Sequence, residues 1–207
     1  MKLIVFGSTG GIGSQVIPQA LAAGHNVTAV ARNPAAITIQ HERLTIVQGD
    51  VLEPCTLDQP MTGQDAVVSA LGVRTRTPTT VYSEGVDNIM RAMQATNVRR
   101  LLCVSATGLD PGPLLQRWLA KPILWWLFKY MYADLVLMED EVKRSDLEWT
   151  IVRPPRLTDG PRTGRYHMAV NQHLTRGALI SRADVADYML THLDDPAAYR
   201  AQVEIAY

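Results

Sequence analysis

Three regularly spaced glycines near the start of the sequence give the clearest indication of a ligand-binding site. Gly7, Gly10 and Gly13 follow the apolar run Leu3–Phe6 and precede a helical pattern. In a strand–turn–helix unit, the first glycine permits the tight turn, the second lets backbone N–H groups approach a phosphate, and the third lets the helix pack against the strand. The helix N-terminus then favours an anion. The motif predicts a pyrophosphate-binding loop; the alternative is a purely structural turn.

The residue at the end of the second predicted strand bears on which dinucleotide binds. A carboxylate there binds a ribose 2′-OH, whereas a cation accepts a 2′-phosphate. The strand ends at Arg32, with no Asp or Glu beside it. A guanidinium presents fixed donors to several phosphate oxygens, so we favour NADPH over NADH; the alternative is a solvated arginine. Asp50, in the turn after the third strand, is expected at the adenine edge or as a turn cap.

The fourth strand runs into small residues that let the backbone lie close to a cofactor. These are Ala70, Leu71 and Gly72. Arg74 and Arg76 follow in the next loop, where each is able to contact a pyrophosphate or an anionic substrate, or to remain solvated. We favour Arg74 because it is nearer the strand end, where ligands bind in open α/β sheets.

A proton donor typical of dehydrogenases is missing. Tyrosine followed four residues later by lysine does not occur in the sequence. The tyrosines tested are Tyr82, Tyr130, Tyr132, Tyr166, Tyr188 and Tyr199, followed at that position by Val86, Asp134, Val136, Val170, His192 and Val203. Alcohol–ketone interconversion needs a positioned acid or base, whereas a flavin or quinone spreads the incoming charge over its rings. The absence therefore favours a flat conjugated hydride acceptor.

Ser105, just after the fifth predicted strand, is the candidate catalytic residue. Its hydroxyl is placed to hydrogen-bond a nicotinamide amide or the acceptor, or merely to satisfy its own turn. Proximity and orientation would then carry most of the rate.

Other chemistries find less support. No histidine lies at metal-ligand spacing from another histidine or from a cysteine, so no metal site is expected. No G-x-S-x-G motif surrounds Ser69 or Ser105, which argues against an α/β-hydrolase. The acidic cluster Glu139, Asp140 and Glu141 is expected to be the solvated face of a helix.

Alternating apolar runs and helical stretches must position these residues. Strands are predicted at Leu3–Phe6, Asn26–Ala31, Leu44–Val47, Ala66–Ala70, Leu101–Val104 and Trp149–Val152. Helices are predicted at Gly13–Ala23, Val81–Thr96, Ala133–Ser145, and from Ser181 or Arg182 to Leu193. This alternation predicts a doubly wound parallel α/β sheet of the Rossmann type.

Size and composition favour one domain. The 207 residues, 47% of them hydrophobic, are enough for a single domain over 1–207. Twenty basic residues balance twenty acidic ones, so no nucleic-acid partner is expected. Two cysteines without C-x-x-C spacing, and a start directly on a strand, predict a reduced, cytoplasmic protein.

The segment Pro111–Tyr132 is rich in Trp and Leu but interrupted by charges and a proline. Its apolar runs are shorter than the roughly 20 residues of a membrane span. We expect a buried or half-buried pair of helices that forms a lid over the substrate cleft; a dimer surface or interfacial membrane contact is the alternative. Monomer and homodimer both remain open.

Seven segments together resemble the atypical short-chain dehydrogenase/reductases of the NAD(P)H-binding type, and among these the flavin (biliverdin-IXβ) reductases. They are GSTGGIG, VAR, GDVLEP, GQDAVVSALG, TPTTVYSEGVDNIM, VSATG and TIVRPPRLTDGPRTGRY. The resemblance implies a Rossmann fold, NADPH as hydride donor and a planar conjugated acceptor. The rival function is an NADP(H)-sensing regulatory or interaction protein, similar to the NmrA-like regulators of the same fold.

The resemblance also implies site residues. It assigns the cofactor loop to Gly7, Thr9, Gly10, Ile12 and Gly13, the 2′-phosphate to Arg32, the adenine side to Asp50 and Val51, and the nicotinamide side to Ser105, Pro154 and Pro155. Gly11, in the same loop, is a further candidate for cofactor binding. The chain departs from the flavin reductases at Arg156, where they carry histidine.

Overall fold

A mostly parallel sheet forms the centre of the protein, as the alternating apolar runs predict. The computed structural model describes residues 1–73, 77–109 and 121–207, with the backbone alone for 121–127. Its strands are β1 (Lys2–Phe6), β2 (Asn26–Ala31), β3 (Leu44–Gln48), β4 (Ala66–Ser69), β5 (Arg100–Val104), β6 (Glu148–Arg153), β7 (Arg156–Thr158), β8 (His167–Val170), β9 (Leu179–Ser181) and β10 (Ala201–Ala206).

The described strands form a large sheet in the order β3-β2-β1-β4-β5-β6-β10-β8. Neighbouring strands run parallel except β8, which pairs antiparallel with β10. The reversal of strand order between β1 and β4 confirms the doubly wound Rossmann topology. A small separate sheet pairs β7 with β9.

Helices cover both faces of the large sheet. They are α1 (Gly13–Ala22), α2 (Asp58–Met61), α3 (Ser83–Thr96), α4 (Lys121–Arg144) and α5 (Arg182–Thr191). Leu3 and Val5 of β1 belong to the apolar core that contains buried residues of α1 and α5, and Ile4 and Phe6 to the core that contains those of α3 and α4. The alternation follows from the two-residue period of a strand, which puts successive side chains on opposite faces.

Helix α4 joins the helix predicted from Ala133 to the end of the segment Pro111–Tyr132, where a pair of helices was expected. The expected start at Ala133 is wrong, because the helix begins at Lys121 and contains a non-helical residue, Phe128, at φ −115° and ψ 15°. No described helix has the length and apolarity needed to cross a bilayer.

A buried carboxylate of α4 fixes the N-terminus of α3. The backbone N–H groups of Tyr82 and Ser83 donate to Asp134 at 2.9 and 3.2 Å, and the Ser83 hydroxyl donates to it as well. Asp134 is 3% exposed. It therefore caps α3 from a neighbouring helix and orients the two against each other.

Replacing Asp134 with alanine is expected to destabilise the fold. The change leaves the donors of Tyr82 and Ser83 buried without an acceptor, so the free energy of unfolding should fall by about 2–4 kcal/mol. Urea denaturation measures this difference. Asp140→Ala, at an exposed position of the same helix, is the matched control and should change stability by less than about 0.5 kcal/mol; equal effects of the two substitutions would contradict the capping role.

Candidate functional site

A cleft of about 1280 Å³ lies along the carboxyl edge of the large sheet. Its described lining includes Phe6 at the end of β1, Ala31 at the end of β2, and the residues that follow β3, β4, β5 and β6. Open α/β sheets bind ligands at this edge, where the strand order reverses. The volume exceeds the roughly 300–1,000 Å³ of a typical small-molecule pocket, which leaves room for a large ligand.

The glycine loop approaches the sheet too closely for side chains. Gly7 has φ +72°, and a Cβ there would lie 2.3 Å from the Ala70 carbonyl oxygen. A Cβ on Gly13 would lie 2.2 Å from the Gly7 carbonyl oxygen. Gly13 is therefore needed where α1 packs against the loop rather than at the cleft surface, since it is not among the lining residues.

The loop leaves hydrogen-bond donors open at the start of α1. Gly10 N–H donates to the Gly7 carbonyl at 2.8 Å, whereas the N–H groups of Thr9, Gly11 and Ile12 donate to no backbone carbonyl in the described structure. The helix has neither a side-chain cap nor an acidic residue in its first turn. This cradle fits a phosphate, because free N–H groups and the helix dipole both favour an anion there.

The charged groups of the cleft favour an anionic ligand. The described lining residues include three arginines but only one acid, Asp50. The arginines are Arg32, Arg156 and Arg182. Arg182 pairs with Asp159 at 2.5 Å. Arg32 is exposed and makes no ion pair within the described residues, which leaves its guanidinium open to a ligand.

Asp50 and Val51 line the cleft after β3. Oδ1 of Asp50 accepts the Leu52 N–H at 3.0 Å, so the carboxylate closes its own turn, which was the structural alternative for this residue. The Val51 carbonyl accepts a bond of 2.9 Å from the buried Asn88 side chain. Helix α3 thus holds this part of the cleft wall.

The residues after β4 lie beside the glycine loop. Ala70, Leu71 and Gly72 all line the cleft, and Ala70 N–H donates to the Phe6 carbonyl at 3.0 Å. Arg74, which we expected to contact a phosphate or a substrate, lies outside the described residues.

Ser105, Pro154 and Pro155 meet at the other end of the cleft. Ser105 N–H donates to the Val152 carbonyl at 2.8 Å, and Thr107 N–H donates to the Pro154 carbonyl at 3.1 Å. These bonds join the segment that follows β5 to β6 itself and to the residue directly after it. The Ser105 hydroxyl donates to Oε1 of Glu139 at 2.6 Å.

The expectation that Glu139 is solvated is wrong. Glu139 is 2% exposed, although its neighbour Asp140 is exposed. Arg153 forms a buried ion pair with it, and Lys143 Nζ lies 3.1 Å from Oε2. The Glu139–Lys143 spacing of four residues is typical of a surface helix pair, and it gave no indication of Arg153, which comes from β6.

Apolar and aromatic side chains of α4 form one wall of the cleft. Phe128, Met131, Tyr132 and Leu135 line it, together with Tyr82. Burial raises the pKa of Tyr132, and the residue four positions later is Val136, so nothing at that position lowers the pKa. The sequence indicated Tyr132 and Tyr82 only as tyrosines without a lysine four residues later, and it gave no sign that both line the cleft. Residues 110–120 of that segment lie outside the described part of the chain.

Comparison with known proteins agrees with this geometry. Residues 7–196 match the family described as NAD(P)H-binding. The photosystem II assembly factor Ycf39 of Synechocystis sp. is 31% identical over 109 residues, which are 51% of this chain and 33% of Ycf39. The chain thus spans about a third of the length of that relative.

Two solved structures share the fold. A short-chain dehydrogenase/reductase from Veillonella parvula, in complex with NADP, has a TM-score of 0.82 and 21% identity, with 100% of this chain and 94% of that chain covered. The anaerobilin reductase ChuY from Escherichia coli O157:H7 has a TM-score of 0.80 and 20% identity, with 100% and 97% covered. At this identity the likeness shows the fold.

Proposed function

Because this chain belongs to the NAD(P)H-binding family, we propose that it is an NADPH-dependent reductase whose acceptor is a flat conjugated molecule such as a flavin or quinone. A bound NADPH supplies the hydride. The protein supplies a cleft that holds donor and acceptor together.

The proposed cofactor contacts follow the cleft from one end to the other. The N–H groups of Thr9, Gly11 and Ile12 bind the pyrophosphate, and Arg32 binds the 2′-phosphate. Asp50 and Val51 border the adenine, while Ala70, Leu71 and Gly72 lie along the middle of the dinucleotide. Ser105, Pro154 and Pro155 border the nicotinamide. Two observations support this arrangement: the unpaired N–H donors of the loop, and the excess of arginine over acidic residues in the cleft lining.

The proposal for the acceptor is based on the wall of the cleft that α4 forms. Phe128, Met131, Tyr132 and Leu135 offer an apolar, partly aromatic surface on which a flat ring can stack. Burial raises the pKa of Tyr132 and no lysine four residues later lowers it, so Tyr132 is a poor proton donor to an alkoxide. A conjugated acceptor needs no such donor, because its rings delocalise the charge. The description of ChuY as an anaerobilin reductase supports reductase chemistry on this fold.

Mixing the purified protein with NADPH and a panel of acceptors tests the proposal. The rate of NADPH oxidation is followed by the loss of NADPH absorbance. It is measured with FMN, riboflavin, a quinone series and a bilin, and each rate is compared with the rate without protein. We expect acceleration with at least one acceptor and none with simple aldehydes or ketones. Absence of acceleration with every conjugated acceptor would overturn the enzyme assignment.

A non-catalytic role is the second candidate. Ycf39 is described as an assembly factor rather than as an enzyme, which favours an NADP(H)-sensing regulatory or interaction protein. That function predicts tight NADP(H) binding without hydride transfer. It also predicts a co-purifying partner whose association depends on the bound dinucleotide, which a pull-down with and without NADPH measures.

Arg156 is expected to select acceptors that carry an anionic group. It lines the cleft directly after Pro155, is exposed, and has no ion pair within the described residues. FMN and riboflavin share one ring system and differ by a phosphate, so Arg156→Gln should raise KM for FMN by about tenfold and leave KM for riboflavin unchanged. Arg162→Gln, which removes an arginine paired with Asp187 outside the cleft, is the control. An equal rise for both flavins in Arg156→Gln would contradict the role.

A further inference from the structure

The Ser105 hydroxyl is bound to a buried carboxylate rather than free to turn toward the cleft. Its Oγ lies 2.6 Å from Oε1 of Glu139. Ser105 is 7% exposed and Glu139 is 2% exposed, so little water competes for this bond. The direction of the hydrogen in this pair decides whether the Ser105 hydroxyl donates a hydrogen bond to a ligand or accepts one.

Glu139 is surrounded by hydrogen-bond donors. Arg153 Nε donates to Oε1 at 2.8 Å, and Lys143 Nζ and Gln202 Nε2 donate to Oε2 at 3.1 and 2.8 Å. Arg153 Nη2 also donates to Oε2. None of these contacts requires a hydrogen from the carboxyl group, because the partner atom is itself the donor in each of them.

The charge state of Glu139 follows from these contacts. Burial by itself raises the pKa of Glu139, but hydrogen bonds from Arg153 and Ser105 and the positive charges of Arg153 and Lys143 outweigh it and hold the pKa below its ordinary value. The group is therefore a carboxylate at neutral pH. A carboxylate only accepts, so the hydrogen between the two residues belongs to Ser105 and points at Glu139.

We propose that Glu139 is a positioning residue: it turns the Ser105 hydrogen away from the cleft, so that Ser105 accepts a hydrogen bond from the carboxamide N–H of a bound nicotinamide. This inference rests on the proposed function, since it requires a nicotinamide beside Ser105. A carboxamide has an acceptor end and a donor end. An oxygen that presents only lone pairs selects the donor end and thereby fixes how the amide, and with it the reacting ring, is turned.

An analogue of NADP⁺ in which an acetyl group replaces the carboxamide tests this bond by equilibrium binding. The analogue keeps the carbonyl and lacks the N–H donor. Calorimetry with the wild-type protein should show NADP⁺ binding about tenfold more tightly than the analogue, which is the effect of one hydrogen bond. A ratio near one in the wild-type protein would overturn the inference while leaving the proposed function intact. Failure of both ligands to bind would overturn the two together.

Substitutions at the two ends of the bond separate Glu139 from general structural effects. In Glu139→Gln the side-chain amide donates a hydrogen bond to Ser105, so the Ser105 hydrogen is free to turn toward the cleft. The ratio of the affinities for NADP⁺ and for the analogue should then fall to near one. Ser105→Ala, which removes the acceptor, should do the same. Asp134→Asn replaces another buried carboxylate of α4 that contacts α3 and not Ser105, and it should keep the tenfold ratio.

Comparing two ligands on one preparation makes the ratio independent of the folded fraction, and thermal unfolding of each variant is recorded alongside. If Glu139→Gln does not fold, Glu139→Asp keeps the negative charge beside Arg153 and withdraws it from Ser105. Its ratio should also fall. A tenfold ratio retained in either folded Glu139 variant would overturn the positioning role.

Discussion

Replacing Arg32 with aspartate is expected to reverse the preference between the two nicotinamide cofactors. The substitution removes a guanidinium at the end of β2 and places a carboxylate where the 2′-phosphate is proposed to bind. Charge-assisted hydrogen bonds are worth about 1.5–3 kcal/mol, and like-charge repulsion adds to their loss, so affinity for NADPH should fall by at least about 100-fold. Affinity for NADH should hold or rise, because a carboxylate binds a ribose 2′-OH.

Arg32→Gln is the companion variant, since it removes the charge without adding repulsion. Its affinity for NADPH should lie between those of the wild-type protein and Arg32→Asp, and NADH should be unaffected. Calorimetric titration of the three proteins with each cofactor measures the six affinities. Equal losses for NADPH and NADH in Arg32→Asp would contradict the assignment of Arg32 to the 2′-phosphate.

The second large effect is expected from Gly13→Ala. Helix propensity alone predicts a gain, since alanine is about 1 kcal/mol better than glycine within a helix. A Cβ at Gly13 would lie 2.2 Å from the Gly7 carbonyl oxygen, and that atom belongs to backbone that cannot turn away. The start of α1 must therefore shift. We expect the free energy of unfolding to fall by about 3 kcal/mol and affinity for NADPH to fall by about 100-fold, as a shift of about 1 Å can cause.

Gly160→Ala is the matched control for this prediction. Its Cβ would meet its nearest atom, Cβ of Ser181, at 3.6 Å, an ordinary contact. Stability should change by less than about 1 kcal/mol. Chemical denaturation and calorimetry on both variants give the comparison, and a stabilised Gly13→Ala would show that propensity rather than close packing decides at this position.

Local spacing was sufficient to predict the fold and the edge of the sheet where the cleft lies. The apolar runs at β1, β2 and β5 end within a residue or two of their predicted limits, because buried parallel strands need unbroken apolar sequence. Strands β7, β8, β9 and β10 were not predicted. The β8 sequence His167–Val170 is short and mostly exposed, so it carries little hydrophobic pattern.

Long-range pairing explains what the sequence did not reveal. Glu139 has the neighbours and the spacing of a solvated helix residue, yet it is buried because Arg153 and Gln202 arrive from β6 and β10. The capping of α3 by Asp134 likewise joins residues that are far apart in sequence. Such contacts depend on which elements the fold brings together, and no local period records them.

Calorimetric titration of the wild-type protein with NADPH, and separately with NADH, tests the account most directly. Saturable one-to-one binding of NADPH, at least about tenfold tighter than that of NADH, is the result expected for a phosphorylated dinucleotide held by the glycine loop and Arg32. No heat of binding with either cofactor would contradict the account.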